Sequence, residues 1–163
     1  MTKKTLKIIL LILGGLYFLY KLADMISPGS YGNAEKYELE FPEEKVIEAI
    51  SKLKALDKDI VVPKVTIQNT GQWDLNDGKE RETDYWYKFY FYNKAKNQIL
   101  YTWTRPSGLN TTTFAFVSLN NGLDIGYWED INEDLGFFEN RKIKKNFEET
   151  ILKRIKDNLS DND

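Results

Sequence analysis

The side chains available for chemistry in this chain are carboxylates, hydroxyls, amines and aromatic rings, because its 163 residues include neither His nor Cys. Without Cys there is no disulfide, thiol nucleophile, thiolate metal site or acylated N-terminal cysteine. Without His the commonest general base and the commonest zinc ligand are missing. Catalysis is left to paired carboxylates. Glu129, Asp130, Glu133 and Asp134 cluster after Trp128, and two acids flanking a cleft can hydrolyse a glycosidic bond. The plainer reading of such a cluster is a solvated, helix-capping turn. Asp74, Asn76 and Asp77, with Glu80, Glu82 and Asp84 behind them, offer the oxygen ligands calcium takes. Gly78 comes one position early for an EF-hand, however, and Tyr85 stands where the twelfth-position carboxylate belongs. The segment reads as a hairpin turn, and no metal or cofactor is expected. No phosphate-binding glycine loop, nucleophile elbow or dinucleotide fingerprint is present.

Binding chemistry is better represented. Aromatic residues make up 14% of the chain and concentrate between Trp73 and Trp128, more ring surface than a small core needs. Residues 85–92 alternate, and a strand sends alternate side chains to opposite faces. Tyr85, Tyr87, Phe89 and Phe91 form the uniformly apolar side and belong in the core. Trp86, Lys88, Tyr90 and Tyr92 form an amphipathic side. Residues 98–104 divide the same way, Ile99, Tyr101 and Trp103 against Leu100, Thr102 and Thr104. Rings with polar tips suit a wet recognition surface. The candidate partner-binding set is Trp86, Lys88, Tyr90, Tyr92, Phe114 and Phe116, against the plainer alternative of strand propensity with loops laid over the face.

Residues 114–119, Phe-Ala-Phe-Val-Ser-Leu, resemble part of the RNA-recognition-motif signature, in which strand aromatics stack on bases. Thr112 and Thr113 stand where that signature carries a basic residue and a glycine. Beyond residue 29 the chain has 19 basic and 24 acidic side chains, a net charge of −5. An acidic domain gains nothing from displacing the counterions of a phosphate backbone, so no nucleic-acid partner is expected. Arg141, Lys142, Lys144 and Lys145 crowd the start of the last predicted helix, where the helix dipole disfavours cations. Anionic lipid headgroups are one candidate partner, an acidic loop of the same domain is another, and a solvated face paired with Glu148 and Glu149 is the plain alternative.

The elements that must position these residues begin with an apolar N-terminal run. Lys3, Lys4 and Lys7 precede it, and residues 8–20 carry no charge. Residues 5–26 as a helix span about 33 Å at ~1.5 Å per residue, close to the ~30 Å of a bilayer's hydrocarbon core. Residues 1–26 therefore read as a single-pass signal-anchor built on Ile8, Leu10, Leu11, Leu13, Leu16, Phe18 and Leu19. The lysine asymmetry puts the N-terminus in the cytoplasm and the rest on the periplasmic or extracytoplasmic side of the cytoplasmic membrane. A cleaved signal peptide is the rival, weakened by Lys21 two positions before Ala23. Residues 27–35 are rich in turn formers and read as a linker.

Residues 36–160 read as one α+β domain: a mainly antiparallel sheet with two amphipathic helices packed on one face. The predicted order is a strand at 36–41, a helix opened by Pro42 and ending near Asp57, a strand at 60–68, a polar loop at 69–84, three strands at 85–92, 98–104 and 111–119, an Asn121-Gly122 hairpin into a short strand at 123–127, and a helix at 140–159. The function these features point to is a non-enzymatic, membrane-anchored binding or accessory subunit of a bacterial envelope complex. It would meet a protein partner through the aromatic face or the acidic 69–84 loop. An immunity protein that intercepts a toxin in the envelope and a carboxylate-dependent glycan hydrolase are the alternatives.

Overall fold

In the computed structural model, Thr5, residues 11–17 and residues 31–160 are described. The chain divides into two units, Met1–Gly32 and Asn33–Asp163. In the first, residues 11–17 are helical, with Leu11, Leu13 and Leu16 exposed. Ile8, Leu10, Phe18 and Leu19 of the predicted anchor lie outside the described residues. Among the described residues no helix is long and apolar enough to cross a membrane.

The second unit is a mixed α+β domain on an antiparallel sheet. Its main sheet runs β1-β6-β5-β4, from β1 (Glu35–Leu39), β6 (Thr112–Asn121), β5 (Gln98–Pro106) and β4 (Tyr87–Asn93). β8 (Trp128–Asp130) pairs with the far half of β6. A smaller sheet joins β2 (Val65–Ile67) to β3 (Thr70–Trp73) and, in parallel, to β7 (Asp124–Ile125). Helix α1 (Glu43–Leu56) starts after Pro42, which is the N-cap and not the first helical residue. Val46, Ala49, Ile50 and Leu53 form its buried stripe, the i, i+3, i+4, i+7 pattern of a helix with one covered side. The last helix is α2 (Phe137–Phe147), a π-helical turn (Glu148–Leu152) and α3 (Lys153–Ser160).

That π turn has a reason in the sequence. Ile143, Phe147, Ile151, Ile155 and Leu159 recur every fourth residue, and all are buried. At about 100° per residue each step of four overshoots a full turn by ~40°, so the stripe would drift ~160° around a regular α-helix. The Lys153 N–H bonds to the Glu148 carbonyl five residues back. This wider turn absorbs about one residue and returns Ile155 and Leu159 to the side of Ile143.

One face of the main sheet meets these helices. Phe89, Phe91, Leu100, Phe114, Phe116 and Leu119 pack with Val46, Ile50, Phe147, Ile151 and Ile155 in a single core. A register shift between β5 and β6 lets this happen. Tyr101 pairs with Ser118 and Thr102 with Phe116, leaving Val117 as an extra residue. The bulge flips the alternation, so Phe114 and Phe116 before it and Leu119 after it all point to the helices.

Three predicted elements differ. Residues 60–68 supply only β2; Ile60 ends a short 3₁₀ turn, and Val61 makes a lone bridge to Phe91. The polar loop contains β3, joined to β2 through Gln68 and Asn69, both at positive φ (50° and 57°). Asn121-Gly122 does not close a two-residue hairpin. Of the two only Gly122 has positive φ, 85°, whereas a type I′ turn needs it at both central positions. The buried Asn120 side chain instead holds a wide loop, donating to the carbonyls of Gly122 (3.2 Å) and Asp124 (3.1 Å) and accepting from the Tyr127 N–H (3.2 Å). β7 is thereby sent to β2, and β8 returns to β6.

Candidate functional site

The second face of the sheet carries no helix and collects the aromatic residues. β4 and β5 put Tyr90 directly opposite Tyr101, and the two rings stack at 5.3 Å between centroids. Trp128 on β8 closes the group, 6.3 Å from Tyr90 and 6.1 Å edge-on to Tyr101. All three are half-buried. Tyr127 beside them is 74% exposed. Further along the same face Trp86 lies 6.3 Å from the buried Trp103. The Arg105 guanidinium lies over both Trp103 (5.6 Å) and Tyr85 (5.7 Å), a cation–π arrangement. β6 contributes small side chains, Ala115 beside Trp103 and Ser118 beside Tyr101, which leave room for the rings.

The predicted partner-binding residues separate on this geometry. Lys88, Tyr90 and Tyr92 belong to the ring-bearing face. Trp86 joins it although it precedes β4, which begins at Tyr87. Phe114 and Phe116 do not belong. Both have no exposed surface, and Phe116 stacks on Phe147 at 4.5 Å. They are core residues, and the RNA-recognition resemblance loses the two rings it rested on. Tyr101 and Trp128 complete the group but were absent from the predicted set. Tyr101 had a signal, its place in the alternation of 98–104. Trp128 had none, since only the detour through β7 brings it to this face.

The acidic 69–84 loop has a structural task. Asp77 forms an ion pair with Lys54, and its other oxygen accepts from the Tyr90 N–H at 3.0 Å. Lys54 also donates to the Tyr90 carbonyl at 2.9 Å. Gly78 exchanges both backbone hydrogen bonds with Lys88, at a φ of 132° that favours glycine. Lys88 also pairs with Glu80, Lys64 with Asp74 and Arg81 with Asp84. The outward polar groups of β4 at residues 88 and 90 are thus consumed, which protects an edge strand from pairing with another chain. Asp77, Gly78 and Glu80 of this loop thus cover the edge of β4.

Of the carboxylates after Trp128, Glu129 and Asp130 lie on β8, Glu129 accepting from the Asn121 side chain at 2.7 Å, and Glu133 and Asp134 lie on the turn that follows. Burial, with Asp134 and Glu133 nearby, holds the Asp130 carboxyl above the usual range. The Asp134 carboxylate accepts from the Asp130 N–H at 2.8 Å, and Glu133 accepts from the Asn33 side chain. A cavity of about 230 Å³ beside the π turn is lined by Asp59, Tyr92, Lys94, Asn146, Thr150 and Arg154, among others. Its charges are paired at the rim, Lys94 with Asp59 and Arg154 with Asp57, each at 2.8 Å.

The cationic cluster also separates. α2 begins at Phe137, so Arg141, Lys142, Lys144 and Lys145 lie beyond the first turn, where the dipole penalty fades. Lys144 is committed inward, 2.9 Å from both the Glu35 carboxylate and the Asn132 side-chain oxygen, and it leaves the candidate lipid set. Arg141, Lys142 and Lys145 are exposed.

Comparison with known proteins finds nothing: no family model, curated protein or solved structure matches the chain.

Proposed function

We propose that the chain is a membrane-anchored binding or accessory subunit of a bacterial envelope complex. In this reading residues 1–26 form the anchor, and the domain presents its Tyr90–Tyr101–Trp128 face to a protein partner outside the cytoplasm. The observation that carries it is the packing of those three rings. They are half-buried against one another on the side of the sheet that the helices leave uncovered. Trp and Tyr held rigid by their neighbours lose little entropy on binding and are typical interface anchors. Trp86, Lys88 and Tyr92 extend the surface, and Tyr127 stands at its rim. The edge cover over β4 supports contact through this face and not through strand addition. The anchor rests on the charge-free run and the lysine asymmetry of the sequence.

The test is crosslinking in cells from a photoreactive residue at position 127 of the full-length chain. A crosslinked protein that is lost in Tyr90→Ala and Trp128→Ala, and kept in Leu109→Ala, is the expected result. A crosslink indifferent to Tyr90 and Trp128 removes the aromatic surface from the proposal. Protection of producing cells against a toxin acting in the envelope would replace the accessory subunit by the immunity reading.

A further inference from the structure

Helix α2 opens on two phenylalanines in water. Phe137 is 74% and Phe138 85% exposed, and their rings meet edge to face at 5.4 Å. A single exposed apolar residue needs no explanation, but adjacent rings joined to a patterned polar surface do. Neighbours on one helix face are three or four residues apart. Arg141 is four residues from Phe137 and three from Phe138. Lys142 is four from Phe138, and Lys145 is four from Arg141. The arc these five share, about 140° wide at ~100° per residue, is opposite the buried Ile143 and Phe147.

Acids lie near this arc, Glu148 and Glu149 three and four residues beyond Lys145, but pair with little of it. Among the described residues Arg141 and Lys142 have no ion pair, and Lys145 has one exposed contact with Glu149 at 3.7 Å. Glu133 and Asp134 are turned to Asn33 and to the Asp130 backbone. Glu139 is three residues before Lys142 and borders the arc, but among the described residues it makes no ion pair with it.

The place where the chain enters the domain is at the same end. The Asn132 side chain donates to the Asn33 carbonyl at 2.8 Å and to Glu35 at 3.1 Å, and Lys144 of α2 pairs with Glu35 at 2.9 Å. Six residues lie between position 26 and Asn33, seven steps of the chain with a reach of at most ~25 Å when fully extended. On the anchor reading, a tether of that length limits how far this end of the domain can stand from the bilayer.

We propose that Phe137, Phe138, Arg141, Lys142 and Lys145 form a docking face for an anionic lipid bilayer, with the rings at the headgroup boundary and the cations among the headgroups. The inference rests on the anchor reading for its source of proximity. Aromatic rings favour that boundary and basic side chains favour anionic lipid. In a domain of net charge −5 such a patch admits one orientation against a negative surface and opposes the others. It therefore selects which side of the domain faces the membrane.

Two measurements test it. Residues 33–160 contain the whole core, so residues 30–163 are first floated with vesicles of phosphatidylcholine alone and of phosphatidylcholine with phosphatidylglycerol. Binding is expected only with phosphatidylglycerol, about fivefold weaker for each of Arg141→Gln and Lys142→Gln, and lost in the Phe137→Ser, Phe138→Ser double variant with its urea midpoint unchanged. Because the chain has no Cys, an environment-sensitive dye at Phe138→Cys of the full-length chain in the same vesicles gives the second reading. It is expected to shift to the blue, while the dye at Leu109→Cys, 98% exposed in the β5–β6 turn, stays aqueous. Equal binding to both vesicle types, no binding, or an aqueous signal from position 138 in an anchored chain overturns the docking face. A full-length chain washed from vesicles by carbonate, with lipid-selective binding of the domain intact, overturns the anchor and leaves the docking face standing.

Discussion

The two faces of the central sheet use the same residue classes to opposite ends. On the helix side Phe89, Phe91, Phe114 and Phe116 are sealed to 1% exposure or less. These rings have no polar atom and need only close packing. On the other side Tyr90, Tyr101 and Trp128 are packed against one another but half-buried. A hydroxyl or indole N–H buried without a partner is costly, so such rings favour positions where one end reaches water. Trp103, on the same side of β5 as Tyr101, is only 2% exposed, so the pleat assigns each ring to a face and its neighbours decide how far that ring is covered.

The sharpest way to break this comparison is to empty a ring from each face and measure urea denaturation of residues 30–163. Phe116→Ala and Phe89→Ala are each expected to cost ~3–5 kcal/mol, the loss of a packed aromatic together with the cavity it leaves. Asn120→Ala comes next, at about 2–3 kcal/mol, because three part-buried backbone groups of the 121–127 loop lose their partner together. Its near-ultraviolet dichroism should change as Trp128 leaves Tyr101, even in conditions where the domain stays folded. Trp128→Ala and Tyr90→Ala are expected to cost ~1–2 kcal/mol, in keeping with partial burial of a large side chain. A loss as large as that of Phe116→Ala would make the second face a core and end its role as a binding surface.

The smallest effect sharpens the helix side. Glu43, at the start of α1, is buried and accepts from the Thr104 hydroxyl at 2.9 Å. Burial, with Glu44 nearby, outweighs that hydrogen bond and Lys79, raising the Glu43 carboxyl above its ordinary value. The folded state therefore holds this proton to higher pH than the unfolded chain does. Stability is lost as pH rises from the ordinary glutamate value, ~4.3, through the raised one. Glu43→Gln keeps an acceptor for Thr104 and removes that loss. Its stability advantage should be absent at low pH and should grow toward neutrality, read from urea midpoints across the range.

Much of the fold was legible because local patterns and burial agreed. The alternation of 85–92 assigned Phe89 and Phe91 to the core but failed at Tyr85, which precedes β4 and is 54% exposed under Arg105, and the stripe on 46–53 gave α1. The fourfold recurrence from Ile143 to Leu159 gave the last helix but not its π turn, which appears only when the stripe is held to one straight face. Phe114 and Phe116 were placed on the candidate surface because alternation separates two faces without naming which one the helices will cover. The candidate site was half legible: Trp86, Lys88, Tyr90 and Tyr92 follow from one strand, whereas Trp128 arrives by a non-local route.

The sequence by itself determined the chemistry this protein can command and the content of its elements. The missing His and Cys, the apolar N-terminal run, the net acidity and the periodicities of two and near four are properties of residue type and spacing. Tertiary structure decided which acids are consumed and which cations remain at the surface. Asp77 is spent on the edge of β4 and Lys144 on Glu35, while Arg141 and Lys142 remain exposed. It also decided that Asn121-Gly122 opens into a detour and not a hairpin, through the side chain of one buried asparagine, Asn120. The ion pairs depend on partners far apart in the chain, whereas the detour is set by Asn120 through groups two to seven residues away. A side chain's local preference is weak beside the cost of leaving a buried polar group unpaired, so the long-range partner prevails and no local pattern records it.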